Sequence, residues 1–277
     1  MKSMLKAISI LKVFLQSSGE MTPAEIANKV GIPKPTVYRM LSALSRGGLL
    51  EQKQDVGKYS IGPLMHVLGN LYLGTTSLVS AAEPVVRLLN ELSQDAVNIS
   101  IFQDGYVTTI FRQETKRTFR WQSHIGRTVP AYASSMGKAI LSELSDEEID
   151  KLYPNEELRP LTKKTVTSKM KLKRELEQIR KTGVAFNREG GLEGIVAVGS
   201  AIHDASGKVV SAMNIVAPTF TMNRARCGLL AELIIMGASL VSYRLGYRHK
   251  GIEVHDTQEI YSWWNKKYDS SIHERSQ

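Results

Sequence analysis

The chain has 277 residues, of which 42% are hydrophobic, and it carries a formal net charge of +9 with Cys227 as its one cysteine. That length predicts two domains, and a single cysteine excludes an internal disulfide or a cysteine-rich zinc site. We recognise no signal peptide and no run of about eighteen uncharged apolar residues, so we expect a cytoplasmic protein without a membrane partner.

The positive charge is concentrated at the front of the chain. Residues 1–70 hold nine Lys and Arg against four Asp and Glu, whereas the tail from Gly251 holds three against five. A basic domain suits a polyanion, so this distribution predicts nucleic acid as the partner of the first quarter of the chain.

Two helices are predicted at the start of this basic region. The first covers residues 3–17, and its apolar face is expected to comprise Leu5, Ile8, Leu11, Val13, Phe14 and Leu15. Thr22 and Glu25 match a capping box, which predicts a short second helix that ends near Val30. Gly31 then permits a tight turn.

A third helix is predicted over residues 33–45, and its two sides differ sharply. Val37, Leu41 and Leu44 fall on one side at helical spacing, which indicates packing against the first two helices. The opposite side is polar and basic, as a helix that reads the major groove of DNA requires. Its residues are Lys34, Thr36, Tyr38, Arg39, Ser42 and, at its end, Arg46.

Two short strands, 49–53 and 58–61, are predicted around a turn at residues 55–57 and complete a winged helix-turn-helix. Lys53 and Lys58 on this hairpin are expected to contact the DNA backbone. The alternative is a three-helix module for protein contacts with solvated basic residues. The complete set of DNA-binding candidates is Thr22, Lys34, Thr36, Tyr38, Arg39, Ser42, Arg46, Lys53 and Lys58.

The rest of the chain predicts an α+β domain with a mostly antiparallel sheet. An apolar stripe after Pro63, made by Leu64, Val67, Leu68 and Leu71, predicts a connecting helix and leaves open whether it packs within the chain or in a dimer. Further helices are expected at 85–92, 134–144, 146–153, 168–181 and 223–243, and strands at 96–102, 106–112, 184–187, 196–203 and 209–216.

A small-molecule pocket is predicted where a loop enters the helix at Ser134 and Ser135. The first amides of that helix, those of Ser135, Met136 and Gly137, point toward a region that suits a carboxylate. The alternative is that Ser134 or Ser135 is simply the N-cap of the helix. Both interpretations stay open at the level of sequence.

These motifs resemble the IclR family of bacterial regulators, in order and across residues 4 to 250. The resemblance lies in the segments 5–11, 32–41 and 58–62 of the basic region and in 126–141 and 183–202 beyond it. It implies an N-terminal winged helix-turn-helix and a C-terminal GAF-like domain that binds small organic acids at the Ser134 loop and on the facing sheet.

The resemblance also implies the remaining effector-binding residues. An ungapped alignment places Asn187, Ala197, Asn214 and Val216 where a glyoxylate- and pyruvate-binding member of the family has Asp, Cys, Ser and Ser. These departures predict a different ligand, a hydroxylated acid such as a sugar-acid breakdown product. The predicted effector-binding residues are Ser134, Ser135, Met136, Gly137, Asn187, Ala197, Asn214 and Val216.

The alternative to a regulator is an enzyme. Ser135 and Lys138 match the Ser-x-x-Lys motif of penicillin-recognising acyl-enzymes, followed by Tyr153-Pro154-Asn155 and Lys181-Thr182-Gly183. Because Lys181 is predicted at a helix end rather than on a strand, we expect no catalytic residues. No paired histidine spacing and no nucleotide motif is recognised, so neither a metal nor a cofactor is predicted.

The sequence therefore predicts a transcriptional regulator, a repressor of a carbon-catabolic operon, that acts as a homodimer or homotetramer on an operator. Its predicted domains are a winged helix-turn-helix at 1–62, a linker helix at 63–77, an effector-binding domain at 78–250 and a tail at 251–277. Trp263 and Trp264 are candidates to anchor that tail to the body or to a partner subunit.

Overall fold

A computed structural model describes the protein over residues 2–14, 19–53, 57–65, 67–68, 77–117, 124–248 and 254–273. The chain divides into two compact units, residues 1–77 and 78–277. Residues 55 and 56 of the expected hairpin turn, and the linker helix beyond residue 68, lie outside the described residues.

The first unit holds a helix-turn-helix followed by a two-stranded hairpin, as predicted. Its elements are α1 (Lys2–Val13), α2 (Pro23–Val30), α3 (Lys34–Arg46), β1 (Leu50–Lys53) and β2 (Lys58–Ile61). The strands pair antiparallel, with Lys53 opposite Lys58. Residues 63–65 and 67–68 are helical, which agrees with the start of the expected linker helix.

The capping box before α2 is confirmed. The Thr22 hydroxyl accepts a hydrogen bond from the Glu25 amide at 3.3 Å, and the Glu25 carboxylate accepts from the Thr22 amide at 2.8 Å. Hydrogen bonds from Thr22 hold the pKa of Glu25 below its ordinary value. The sequence motif therefore sets the start of α2.

The predicted apolar face of α1 is confirmed in part: Phe14 is buried and Leu11 and Val13 pack against the same core, while Leu15 lies outside the described residues. Leu5 and Ile8 are 57% and 42% exposed, whereas Ile10 and Phe14 are buried in the core that α2 and α3 share. The helix carries apolar residues on more than one side, so periodicity alone did not identify which side meets the core. Packing selects the stripe through Ile10 and Phe14, which are one helical turn apart.

The second unit is built on a six-stranded antiparallel sheet in the order β5-β4-β3-β8-β7-β6. The strands are β3 (Ala96–Gln103), β4 (Tyr106–Gln113), β5 (Thr128–Pro130), β6 (Ala185–Arg188), β7 (Ile195–His203) and β8 (Val209–Pro218). The helices are α4 (Ser77–Ser93), α5 (Ser135–Leu141), α6 (Asp146–Leu152), α7 (Lys169–Thr182), α8 (Arg224–Arg244) and α9 (Thr257–His273).

Helices cover both faces of this sheet. On one face α4 and α8 pack against residues such as Val97, Val198 and Ile215, and on the other α5, α6 and α7 form a second core with Val107 and Ala212. The tail helix α9 joins the first of these cores through the buried Ile260 and Trp264. The tail is therefore anchored to its own domain.

Several predicted boundaries are corrected. Helix α4 begins at Ser77 rather than at residue 85 and contains Pro84. Proline removes one backbone hydrogen bond, but Leu78, Ala82 and Val85 on both sides of it are buried, so packing carries the helix through. Strand β5 was missed because three edge residues carry no periodicity, and α5 ends at Leu141 rather than at residue 144.

One helix of the described residues, α8, is long and apolar enough to span a membrane by length and composition alone. It carries charged residues at both ends and packs against β7 and β8, with Leu233 and Ile234 fully buried. The long apolar helix expected at 223–243 thus packs within the core of the second unit.

The junction between the turn at residues 131–133 and α5 is unusually close. This 3-10 turn leads directly into the helix, and a Cβ atom at Gly137 would lie 2.2 Å from the carbonyl oxygen of Ala131. No side chain can be accommodated there without moving the backbone. Glycine at position 137 therefore sets how the turn lies on the helix.

We expect Gly137→Ala to destabilise the protein by about 1–3 kcal/mol, because the new methyl group collides with backbone rather than with a side chain. The control is Gly228→Ala in α8, where a Cβ would meet nothing within 4 Å. That substitution should be neutral or stabilising by up to about 1 kcal/mol. Urea denaturation midpoints measure both, and equal midpoints for the two variants would contradict the close-approach argument.

Candidate DNA interface and effector pocket

Helix α3 separates a buried side from an exposed side, as the sequence predicts. Val37, Leu41 and Leu44 are buried in the core of the first unit. The polar side faces solvent, with the Tyr38 side chain 53% exposed and Thr36 partly covered. The other exposed residues of this side are Lys34, Arg39, Ser42 and Arg46. The helix thus presents donors and a guanidinium that can reach base edges and phosphates.

The remaining DNA-binding candidates flank this helix in different ways. Lys53 and Lys58 face each other across the hairpin, although Lys53 also lies 3.6 Å from Glu51. The Thr22 hydroxyl is occupied by the capping box, since it both accepts from the Glu25 amide and donates to the Glu25 carboxylate. Its structural role is the cap, and any DNA contact by Thr22 stays a prediction.

In the second unit, the predicted effector residues gather around one cavity. Seven of the eight line a cavity of about 80 Å³ between α5, the preceding turn and the sheet: Ser134, Ser135, Met136, Asn187, Ala197, Asn214 and Val216. Gly137 does not line it and instead allows the close approach to Ala131. A loop, a helix start and three strands that are distant in sequence thus form one site.

A chain of hydrogen bonds crosses the floor of this cavity. Arg112 donates to the Asn98 side-chain oxygen at 2.8 Å, and Asn98 donates to the Asn214 side-chain oxygen at 2.8 Å. Asn214 in turn donates to the Ser135 hydroxyl at 3.1 Å. Both ends of the Asn214 amide already have protein partners, so this residue links β8 to α5 and orients Ser135.

Asn187 has a comparable structural role at the rim. Its side-chain nitrogen donates to the Ala133 carbonyl at 2.8 Å, which ties β6 to the turn before α5. Glycines 190 and 191 make room for this arrangement, since a Cβ at either would lie 2.5 Å from the Asn187 side-chain oxygen or from the Ala133 oxygen. The side-chain nitrogens of Asn187 and Asn214, two predicted effector-binding residues, therefore already have protein partners.

The two pocket serines do not cap α5 with their side chains. Ser134 occupies the N-cap position of α5, but its side chain makes no capping hydrogen bond. The Ser135 hydroxyl accepts from Asn214, which leaves its own proton available. Neither serine serves as a side-chain cap, and both line the cavity.

Three polar or charged residues of the cavity wall were not predicted from the sequence. Asn98 and Thr109 come from β3 and β4, and Arg127 precedes β5. Arg127 donates to the Gly191 carbonyl at the long distance of 3.5 Å. Burial, with nearby Arg112 as a second cause, lowers the pKa of the Arg127 guanidinium. Alternation along β4 could have identified Thr109, but Arg127 follows a region without periodicity.

The residues of the enzyme alternative do not meet. Lys138 pairs with Glu175 at 2.6 Å, and Lys181 pairs with Glu177 at 2.9 Å. The Tyr153 hydroxyl donates to the Gly105 carbonyl, and burial raises its pKa. Of the motif residues only Ser135 lines the cavity, so no base faces it there. Within the described ranges no group of three or more His, Cys, Asp or Glu is placed to hold a metal ion.

Comparison with known proteins agrees with this architecture. Residues 70–243 match the sequence profile described as bacterial transcriptional regulator IclR C-terminal, and residues 3–54 match the IclR helix-turn-helix domain. The acetate operon repressor of Salmonella typhimurium is 28% identical over 247 residues, which cover 88% of this chain and 90% of that protein.

Two solved structures share the fold. The IclR protein of Thermotoga maritima is 26% identical with a TM-score of 0.70, over 89% of this chain and 100% of that one. An IclR homologue from Microbacterium hydrocarbonoxydans complexed with 4-hydroxybenzoate is 19% identical with a TM-score of 0.76, over 88% and 98%. The two profile matches together span most of the chain and both of its units. The chain therefore belongs to the IclR family of bacterial transcriptional regulators.

Proposed function

We propose that this protein is a cytoplasmic repressor that binds an operator through α3 and is controlled by a small organic acid bound between α5 and the sheet. The observation that carries the DNA-binding part is the two-sided character of α3, with a buried apolar side and an exposed side that carries Arg39. Members of the same family that carry repressor names support the direction of regulation.

The geometry of the cavity supports a hydroxylated carboxylic acid as the effector. Ser134, Ser135 and Thr109 supply hydroxyl groups, while Arg127 supplies a positive charge. One relative is named the acetate operon repressor, and the Microbacterium relative is complexed with 4-hydroxybenzoate, which has both a hydroxyl and a carboxylate. We infer that the regulated operon serves the breakdown of such an acid.

Uncovered apolar side chains in the first unit support a dimer or a tetramer. Leu64, Val67 and Leu68 of the helical segment after Pro63 are 38%, 51% and 48% exposed. On α1, Met4 is 71% exposed, beside the exposed Leu5 and Ile8. Apolar patches of this kind commonly mark protein interfaces. A two-fold dimer would place two α3 helices in successive major grooves of a pseudo-palindromic operator.

The proposed division of labour follows the expected domains. Residues 1–62 would bind DNA and residues 78–250 the effector in a GAF-like fold, while a linker helix over 63–77 would connect them. Control requires that the effector bind one arrangement of the dimer more tightly than another. The tail after residue 250 packs on the effector-binding unit through Trp264 and is assigned a structural role.

We expect Arg39→Ala to weaken operator binding by about 1–3 kcal/mol, since it removes a guanidinium suited to bidentate contact with guanine. Gel shifts on DNA from the promoter region beside this gene, at several salt concentrations, measure the effect. Arg174→Ala, which removes an exposed arginine from α7, serves as the matched control and should bind like the wild type. Unchanged affinity of Arg39→Ala would contradict the assignment of α3.

The dimer interface is tested with Val67→Glu. A charge within an apolar interface is costly to bury, so this variant should shift toward the monomer and lose operator affinity. Light scattering after size-exclusion chromatography measures the mass, with Met170→Glu, 55% exposed on α7, as the control. A dimer that persists at the same concentrations in Val67→Glu would place the interface elsewhere.

A further inference from the structure

The effector cavity contains a positive charge that the protein itself does not neutralise. Arg127 lines the cavity, and among the described residues its guanidinium makes one hydrogen bond, the contact of 3.5 Å with the Gly191 carbonyl. Across the part of the chain that the structure describes, no carboxylate oxygen lies within 4.0 Å of its guanidinium. The undescribed segment nearest in sequence, residues 118–123, contains no Asp or Glu.

The neighbouring Arg112, in contrast, has a carboxylate partner. Arg112 binds Glu114 through two hydrogen bonds of 2.6 and 2.9 Å and uses a third nitrogen on Asn98. A carboxylate therefore balances its charge, and each of its three side-chain nitrogens has a partner. Arg127 has neither feature, although it lies close enough to Arg112 to be affected by the second positive charge.

This arrangement is costly without an anion. Partial burial and the charge on Arg112 both disfavour the protonated guanidinium, which lowers the pKa of Arg127. Arginine nevertheless stays charged in proteins. The unliganded protein is therefore destabilised by this partly buried charge. An anion placed in the cavity would offset that cost and would receive a bidentate, charge-assisted contact.

We propose that Arg127 binds the carboxylate of the effector, with the hydroxyls of Ser134 and Thr109 receiving its remaining polar groups. This proposal rests on the proposed function, and it assigns to Arg127 the preference for a negatively charged ligand. Asn187 and Asn214, which the sequence suggests as ligand contacts, then act as positioning residues through Ala133 and Ser135.

The size of the cavity narrows the class of ligand. The space between α5, the preceding turn and the sheet is about 80 Å³, which suits a small ligand. Short hydroxy monocarboxylates are therefore the first probes, because they carry the carboxylate and the hydroxyl that the proposed function expects. Glycolate, lactate and glycerate are suitable probes, and their primary amides are neutral molecules of nearly the same shape.

The experiment compares each acid with its amide by calorimetry on the full-length wild type, Arg127→Gln, Arg127→Lys and Arg188→Gln. Arg188 is exposed on β6 and outside the cavity lining, so its variant controls for the loss of a positive charge. The wild type and Arg188→Gln should prefer at least one acid over its amide by about tenfold or more, as a charged hydrogen bond predicts. Arg127→Gln should bind acid and amide equally, and Arg127→Lys should fall between.

Two outcomes overturn the proposal: an acid preference that survives in Arg127→Gln, or a wild type that prefers none of the three acids over its amide. Gel shifts without any acid separate this result from the proposed function, because Arg127→Gln should hold the promoter DNA like the wild type. Loss of that DNA binding together with a lower melting temperature would assign Arg127 to the fold and would also overturn the proposal.

Discussion

The segment from Ala131 to Leu141 lies so close to itself and to the sheet that it leaves no room for a side chain at Gly137 and little room at Gly199. Gly137 meets the Ala131 carbonyl, and a Cβ at Gly199 on β7 would lie 3.0 Å from the backbone of Ser135. Such contacts hold the turn and α5 at one distance from the strands. Ser134, Ser135 and Met136 of the same segment line the effector cavity, although neither glycine does.

Polar groups then decide how that space is used. The chain from Arg112 through Asn98 and Asn214 to Ser135 joins β4, β3, β8 and α5 by side-chain hydrogen bonds at the cavity floor. Buried polar networks of this kind favour a single arrangement because each unpaired member would be costly. Asn187 and Asn214, which the sequence suggests as ligand contacts, therefore hold the walls of the site in place. The positive charge that can bind a ligand comes from Arg127.

Local chemistry was predicted well from the sequence where one short motif suffices. Thr22 and Glu25 define the start of α2, the residues around Val37 and Leu41 define the two sides of α3, and five of the six strands of the sheet were expected near their observed positions. Prediction failed where one sequence pattern is compatible with more than one structure. The stripe of α1 has two apolar sides, α4 continues through Pro84, and the three residues of β5 carry no period.

By itself the sequence determined the class of the protein: a basic helix-turn-helix unit, an antiparallel α+β unit and the family to which both belong. These follow from caps, periodicity and motif order, which are properties of neighbouring residues. Only the tertiary structure decided which polar residues are consumed by the fold and which face the cavity, because that depends on pairs such as Asn98 with Asn214, 116 residues apart. Arg127 belongs to this second group, since a charge becomes uncompensated only when its whole surroundings are known.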